Sequence, residues 1–306
     1  MNVLVTGGAG FVGSYATREL LRVGHRPIVF DKRNDSPLLE DIKGSLTVVK
    51  GDIEDMGAMK DAVVRYSVDA VIHAGAVTSF FAESDPALAA RVNCQSVVNM
   101  LEIAKSTGIR VVFVSSIDVY RKGAGRAGEG FPAEPSNITG MTKLFGEHYG
   151  NYYAQRYGID FVAFRFPTIF GPGKNLSSPH LHAVIEAIIE GAAKGERTKV
   201  PLGDTKIACV YCKDAARALV SACGLDLKGC KIYNAGYQQP VTPKDVVREV
   251  LRIMPGAQMQ VEDGSSEEST LLDCTKAEKE IGFRTEYPLG AAVQDYIKTM
   301  ESMGIK

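Results

Sequence analysis

The stretch Val5-Thr-Gly-Gly-Ala-Gly-Phe-Val-Gly13 decides the fold. It follows the apolar run Val3-Leu4-Val5 directly and opens a segment, 11–23, whose apolar residues recur at helical spacing. Glycines fall at 7, 10 and 13. Gly7 permits a tight turn, Gly10 lets the backbone approach a pyrophosphate, and Gly13 lets the helix pack closely on the strand. The phosphates would rest on the helix N-terminus, at Phe11 and Val12, where unpaired N–H groups and the helix dipole favour negative charge. Asp31 closes the next apolar run. A carboxylate there accepts hydrogen bonds from both ribose hydroxyls and repels a 2′-phosphate, which favours NAD over NADP. Lys32 and Arg33 follow at once and soften that preference.

Outward from this turn, short apolar runs at 27–30, 46–49, 70–72, 111–114 and 161–164 alternate with helical patterns at 56–66, 86–107 and 137–157. Such βαβ repetition predicts an α/β fold, a Rossmann-type doubly wound parallel sheet with helices on both faces. Several of the strands carry no polar alternation, as burial on both sides requires. After about residue 170 the rhythm loosens into Gly/Pro-rich connections, with helical patterns near 180–194, 213–223, 243–254 and 288–302. An NAD-binding unit over 1–170 is therefore expected, followed by a smaller C-terminal α/β substrate lobe over 171–306, with the chain returning to the first unit near 205–235. The Gly/Arg/Lys segment 121–130 reads as a mobile loop.

The chain has 306 residues, 45% hydrophobic and 23% charged, the balance of an ordinary globular protein. Its 35 Lys and Arg against 36 Asp and Glu create no basic field, so nucleic acid is not an expected partner. No apolar run approaches the roughly 18 residues of a membrane helix, and the glycine turn begins too early to leave space for a cleaved leader. With 6 cysteines in no compact framework, the expectation is a cytoplasmic protein with reduced thiols. Cys209 and Cys212 have a metal-like spacing, but they sit in a strand-like run where i and i+3 face opposite sides, so buried apolar thiols are expected and no metal. His180 and His182 lack Cys or Glu partners at ligand spacing. His73, ending a buried strand, reads as a core histidine with its hydrogen bonds met.

Six further motifs occur in order: Gly51-Asp-Ile53, His73-Ala-Gly-Ala76, Val114-Ser-Ser-Ile-Asp-Val-Tyr120, Thr142-Lys-Leu-Phe-Gly-Glu147, Arg165-Phe-Pro-Thr-Ile-Phe-Gly-Pro172 and Tyr233-Asn-Ala-Gly236. With Asn93 and Asp273-Cys-Thr-Lys-Ala277 they make the sequence resemble the extended short-chain dehydrogenase/reductases, and more narrowly the NAD-dependent epimerase/dehydratase family. The resemblance implies that Asp52 and Ile53 contact the adenine and that Ala74, Gly75 and Ala76 line the phosphate and ribose crevice. Asn93 would steady the neighbouring strand end, and Ser115, Phe166 and Thr168 would border the cofactor. Lys143 would hold the nicotinamide ribose, and Ser116 would hydrogen-bond the reacting oxygen. Helices 86–107 and 137–157 resemble those that pair into a four-helix dimer interface, so a homodimer is expected.

One departure matters for chemistry. The family pairs a tyrosine with a lysine four residues later, but the residue four before Lys143 is Thr139. A phenol starts near pKa 10, whereas an aliphatic hydroxyl starts nearer water's 15.7, a gap of about 7–8 kcal/mol at about 1.36 per unit. Thr139 can hydrogen-bond or make room for substrate, but it cannot serve as the base. Asp118, two residues past Ser116 and expected on the same strand end, is the candidate proton acceptor, with a salt bridge to the Arg121/Lys122 loop as its alternative role. Nucleotide-sugar enzymes of the family grip a diphosphate with arginines where this chain has Ile207 and Asp263, and Thr168 replaces a family asparagine. These losses point to a smaller hydroxylated, possibly acidic, substrate, held among Thr78, Ser79, Phe80, Pro167, Thr168 and His180. Arg121, Lys122, Arg126 and Lys174 would flank that cleft. A nucleotide-sugar epimerase or dehydratase and a non-catalytic NAD sensor stay as the alternatives.

Overall fold

The computed structural model describes residues 1–174, 183–266 and 270–303. The first half runs β1 (Asn2–Thr6), α1 (Phe11–Arg22), β2 (Arg26–Asp31), β3 (Thr47–Lys50), α2 (Met56–Arg65), β4 (Ala70–His73), α3 (Ser79–Ser84), α4 (Pro86–Thr107) and β5 (Arg110–Ser116). It continues through β6 (Arg126–Ala127), α5 (Ile138–Tyr157), β7 (Phe161–Phe166) and β8 (Thr168–Phe170). Then come α6 (Val184–Ala193), β9 (Thr198–Val200), β10 (Cys209–Tyr211), α7 (Cys212–Gly224) and β11 (Cys230–Asn234). The chain ends with α8 (Pro243–Ile253), β12 (Met259–Val261), β13 (Leu271–Leu272), α9 (Thr275–Ile281) and α10 (Leu289–Met303).

Seven strands form one parallel sheet in the order β11-β7-β5-β4-β1-β2-β3. β1, β4 and β7 are buried along nearly their whole length, because helices cover both faces. α2, α4 and α5 lie on one side over a core that includes Leu4, Phe30, Met100 and Phe161, and α1 and α7 lie on the other over Val5, Leu20, Phe164 and Leu219. The edge strand β3 alternates instead. β11 returns late in the chain to pair with β7. A third core, with Phe170, Ile188, Val247 and Tyr296, lies among α6, α8 and α10.

Helix boundaries follow local signals. Asp85 caps α4 by accepting the Leu88 N–H at 2.9 Å, Pro86 opens it, and Gly108 closes it in the left-handed region. Asn137 caps α5 through the Gly140 N–H at 2.7 Å.

Two expectations need correction. Segment 121–130 is not simply a loop, since β6 within it pairs with β13, and Leu271 and Asp273 donate to Gly125 O and Ala127 O. Cys209 and Cys212 do not share a strand. β10 ends at Tyr211, Cys212 begins α7, and both are buried free thiols.

Candidate functional site

Parallel strands deliver their C-terminal ends to one edge, and there the β1–α1 turn faces the ends of β4, β5 and β7 across a cleft of about 910 Å³. Gly7 adopts φ +64°, and a side chain on it would sit 2.6 Å from Gly75 Cα. Only glycine lets these two loops meet. A Cβ on Gly13 would overlap the Gly7 carbonyl oxygen, which accounts for the tight approach of α1 to the turn. Gly10, the N-cap of α1, contributes no side-chain cap, and the first turn of α1 carries no acidic residue.

Of the residues expected at the cofactor, Gly7, Gly10, Phe11, Val12, Gly13, Asp31, Lys32, Ile53, Ala74, Gly75, Ala76, Ser115, Lys143, Phe166 and Thr168 all line this cleft. Asp52 and Asn93 do not. Asp52 lies behind Lys32, whose Nζ is 2.9 Å from its Oδ2. Asn93 braces the wall from below, accepting from Val77 N and donating to Val77 O, both at 2.8 Å, and donating to Thr142 Oγ1 at 3.0 Å. Asp31 Oδ2 accepts the Ala9 N–H at 3.1 Å and Oδ1 the Arg33 N–H at 3.0 Å, so the carboxylate is fixed beside the glycine turn. His73 is wholly enclosed, sharing hydrogen bonds with Thr6 Oγ1 and Ser96 Oγ. Burial, with a smaller push from Lys143, drives its pKa down to about 3, so it is neutral.

At the reacting end, Ser116, Asp118, Thr139 and Lys143 converge on the same cleft. Asp118 is not on β5 as expected. β5 stops at Ser116, and residues 117–119 form a 3-10 turn capped by Ser116 Oγ, which accepts the Asp118 N–H at 3.1 Å. The same Oγ donates to Asp118 Oδ2 at 3.1 Å. The salt-bridge alternative finds no support, because among the described residues Asp118 forms no ion pair with Arg121 or Lys122, and Arg121 faces Glu134 at 3.9 Å. A Cβ on Gly140 would overlap the Asp118 carbonyl oxygen, so α5 is pressed onto this turn and carries Thr139 and Lys143 with it. Lys143 Nζ lies 4.9 Å from the Phe113 ring centroid, and burial lowers its pKa to about 8.

Thr78, Phe80, Pro167, Thr168 and Lys174, expected at the substrate, also line the cleft, while Arg121 and Lys122 do not. Arg126 is also turned away, donating to Leu272 O and Gln238 O. His180 and His182 lie outside the described residues, and of Ser79 only the backbone, at the start of α3, is described. Two features carried no readable signal as a site. Phe81 joins Phe80 on the rim, and Glu186, fully buried, borders the cleft beside Lys174. Beneath the floor, Arg165 clasps Glu147 through two bonds, and Ser115 Oγ donates to the same carboxylate at 2.6 Å. Among the described residues no group of three or more potential ligands gathers to hold a metal, and no helix is long and apolar enough to cross a membrane.

A turn for pyrophosphate, an acid for ribose and a Ser/Lys end fit a dinucleotide. Residues 3–236 match the model of the NAD dependent epimerase/dehydratase family. The chain belongs to this family. Its cofactor is NAD. Family relatives include L-threonine 3-dehydrogenase, mitochondrial, of Sus scrofa, 27% identical over 84% of this chain and 69% of its own length. UDP-glucuronate 4-epimerase 2 of Arabidopsis thaliana is 24% identical over 97% and 75%. Among solved structures, Thermus thermophilus UDP-glucose 4-epimerase in complex with NAD superposes with a TM-score of 0.83 at 26% identity, covering 98% of this chain and 99% of that one. The parallel sheet and flanking helices are thus the family's fold, and the chain is an enzyme of this NAD-dependent family.

Proposed function

We propose that this enzyme oxidises a secondary alcohol of a small hydroxylated substrate, and that the alcohol proton leaves through Ser116 and Asp118 in place of the family's tyrosine. NAD, when bound, supplies the hydride acceptor. Gly7, Gly10 and the N–H groups at the start of α1 would hold its phosphates, with Gly13 keeping α1 close to the turn, while Asp31 would hold its adenosine ribose and Lys143 the ribose near the reacting end. Ser116 Oγ already accepts from Asp118 N and donates to Asp118 Oδ2, leaving one lone pair for a substrate hydroxyl. As that hydroxyl gives its proton to Ser116 Oγ, the serine's own proton passes to the Asp118 carboxylate. Lys143 favours the developing negative charge on the substrate oxygen. Thr139, small and lining the cleft, leaves the space that a phenol would fill.

The observation that carries this reading is the 3.1 Å Ser116–Asp118 bond inside the cleft that Lys143 also lines. Asp118→Asn keeps the shape and removes the acceptor, so NADH formation should fall about a hundredfold or more while NAD affinity stays unchanged. Turnover within a few-fold of the parent would refute the relay.

The two positions where arginines would grip a nucleotide-sugar diphosphate support a smaller substrate. Ile207 is fully buried and bridged to Val241, and Asp263 is an acid bound to Lys244 at 2.8 Å. Neither can clamp a phosphate. Of the activities named for the relatives, the dehydrogenase kind therefore fits better than the UDP-sugar kind. Strong thermal stabilisation by UDP-glucose in the presence of NAD would reverse that choice. The unit acting on substrate is a cytoplasmic homodimer built on α4 and α5, where Tyr149, Tyr152 and Tyr157 of α5 stand exposed.

A further inference from the structure

Among the described residues the cleft is lined by four basic side chains, Lys32, Arg33, Lys143 and Lys174. Lys32 is occupied by Asp52 at 2.9 Å. Arg33 donates to Ala9 O at 3.0 Å. Lys143 is enclosed at the reacting end. Lys174 differs from all three. It follows β8, its side chain is 31% exposed, and its Nζ lies 6.0 Å from the ring centroid of Phe11, the first residue of α1. Its present partners are Ile169 O at 2.6 Å and Glu186 Oε1 at 3.3 Å.

Glu186 is an unusual counter-ion. It is completely buried on α6, it borders the cleft, and among the described residues neither of its oxygens accepts a well-aligned hydrogen bond, Lys174 meeting it only as an ion pair. Burial lifts its pKa, and the Lys174 charge pulls the other way. With its pKa raised, the carboxyl can take up a proton as the lysine leaves, so the departure of Lys174 strands no buried charge. Meanwhile the start of α1 presents N–H groups with no acidic neighbour in its first turn, a place where anions are favoured. A lysine there acts as a mobile point charge on a flexible stem, which suits it to phosphate.

The geometry points to Lys174 as the cation that pairs with the pyrophosphate of the dinucleotide, with Glu186 as the positioning residue that holds it in reserve until phosphate competes it away. This rests on the NAD reading of the cleft and adds to it a phosphate ligand that comes from beyond β8 rather than from the glycine turn. It also replaces the expected role of Lys174 toward an acidic substrate.

Calorimetric titration of NAD, ADP-ribose and adenosine into the substrate-free protein tests it. Lys174→Met should weaken NAD and ADP-ribose about tenfold or more, the scale of one charge-assisted contact, and leave adenosine unchanged. Lys174→Arg should restore most of the loss. Glu186→Gln removes the competing charge and should tighten NAD several-fold. Unaltered NAD affinity in Lys174→Met would overturn the proposal and leave the NAD site standing. So would equal weakening in Lys174→Met and Glu186→Gln, which marks a packing defect, or equal loss for adenosine, which carries no phosphate. Failure of the parent protein to bind NAD would instead remove the cofactor reading beneath it.

Discussion

Glu147→Gln is the sharpest test of how the floor of the site is held. Arg165 donates from Nε to Glu147 Oε1 at 2.9 Å and from Nη2 to Oε2 at 2.6 Å, with side chains only 5% and 2% exposed. Ser115 Oγ donates to Oε1, and Tyr120 Oη takes a further Arg165 N–H at 2.7 Å. Glutamine keeps the outline but leaves a guanidinium that cannot shed its proton buried without a counter-charge. Breaking a buried pair from one side costs about 3–5 kcal/mol, a large share of the roughly 5–15 kcal/mol that separates folded from unfolded chains. At about 2–4 °C per kcal/mol for a chain of several hundred residues, the midpoint should drop on the order of 10 °C by circular dichroism or fluorescence. Removing both charges, as Glu147→Gln with Arg165→Met, should recover much of that loss. A single variant melting within about 2 °C of the parent, or a double variant no better than the single, would refute the claim that this ion pair anchors α5 to β7 under the cleft.

Three more outcomes follow from named contacts. Asp31→Ser should weaken NAD about tenfold and narrow the margin over NADP, measured by fluorescence quenching; unchanged affinities would place the adenosine ribose elsewhere. Lys143 is held at about 8 against an ordinary 10.5, so between those values the unfolded chain keeps a proton the folded one has lost, and this residue makes stability rise with pH. Lys143→Met should therefore be more stable than the parent at pH 7 by about 3 kcal/mol, with the advantage gone near pH 10.5; an advantage constant across that window would contradict the sign. Light scattering should give twice the 33.0 kDa chain mass, and Tyr152→Glu on α5 should shift it toward one chain; a monomeric parent would remove the α4–α5 dimer.

Much of the first half was legible because its signals are local. The pattern over 86–107 matches α4 because Asp85, Pro86 and Gly108 mark both ends within the chain itself. The glycine turn, Asp31 and Ser116 could be placed for the same reason, each being bound to a strand end, whereas Lys143, on α5, was legible only through the family motif it stands in. What could not be read depends on partners brought together by folding. Glu147 and Arg165 lie on α5 and β7, and nothing in either segment announces a pair. Glu186 sits in an apolar helical pattern that reads as an ordinary amphipathic face until the loop after β8 lays Lys174 against it. Asp118 was expected on a strand because Val111–Ser116 reads as one, and the turn capped by Ser116 fits under α5 only because Gly140 has no side chain. α3 is only six residues long, too short to leave a period.

The two-residue pairing of β6 with β13 reaches further than its size suggests. Thr270 Oγ1 donates to Arg121 O, and Asn234 bridges Ala127 O and Asp273 O, so the stretch just past the Ser116–Asp118 turn is stitched to the last quarter of the chain. An Asn234→Ala variant, with α9 and α10 left in place, would retain every group named for hydride and proton transfer. It would nonetheless lose the seam that keeps their turn in register, and so behave as a cofactor carrier with idle chemistry.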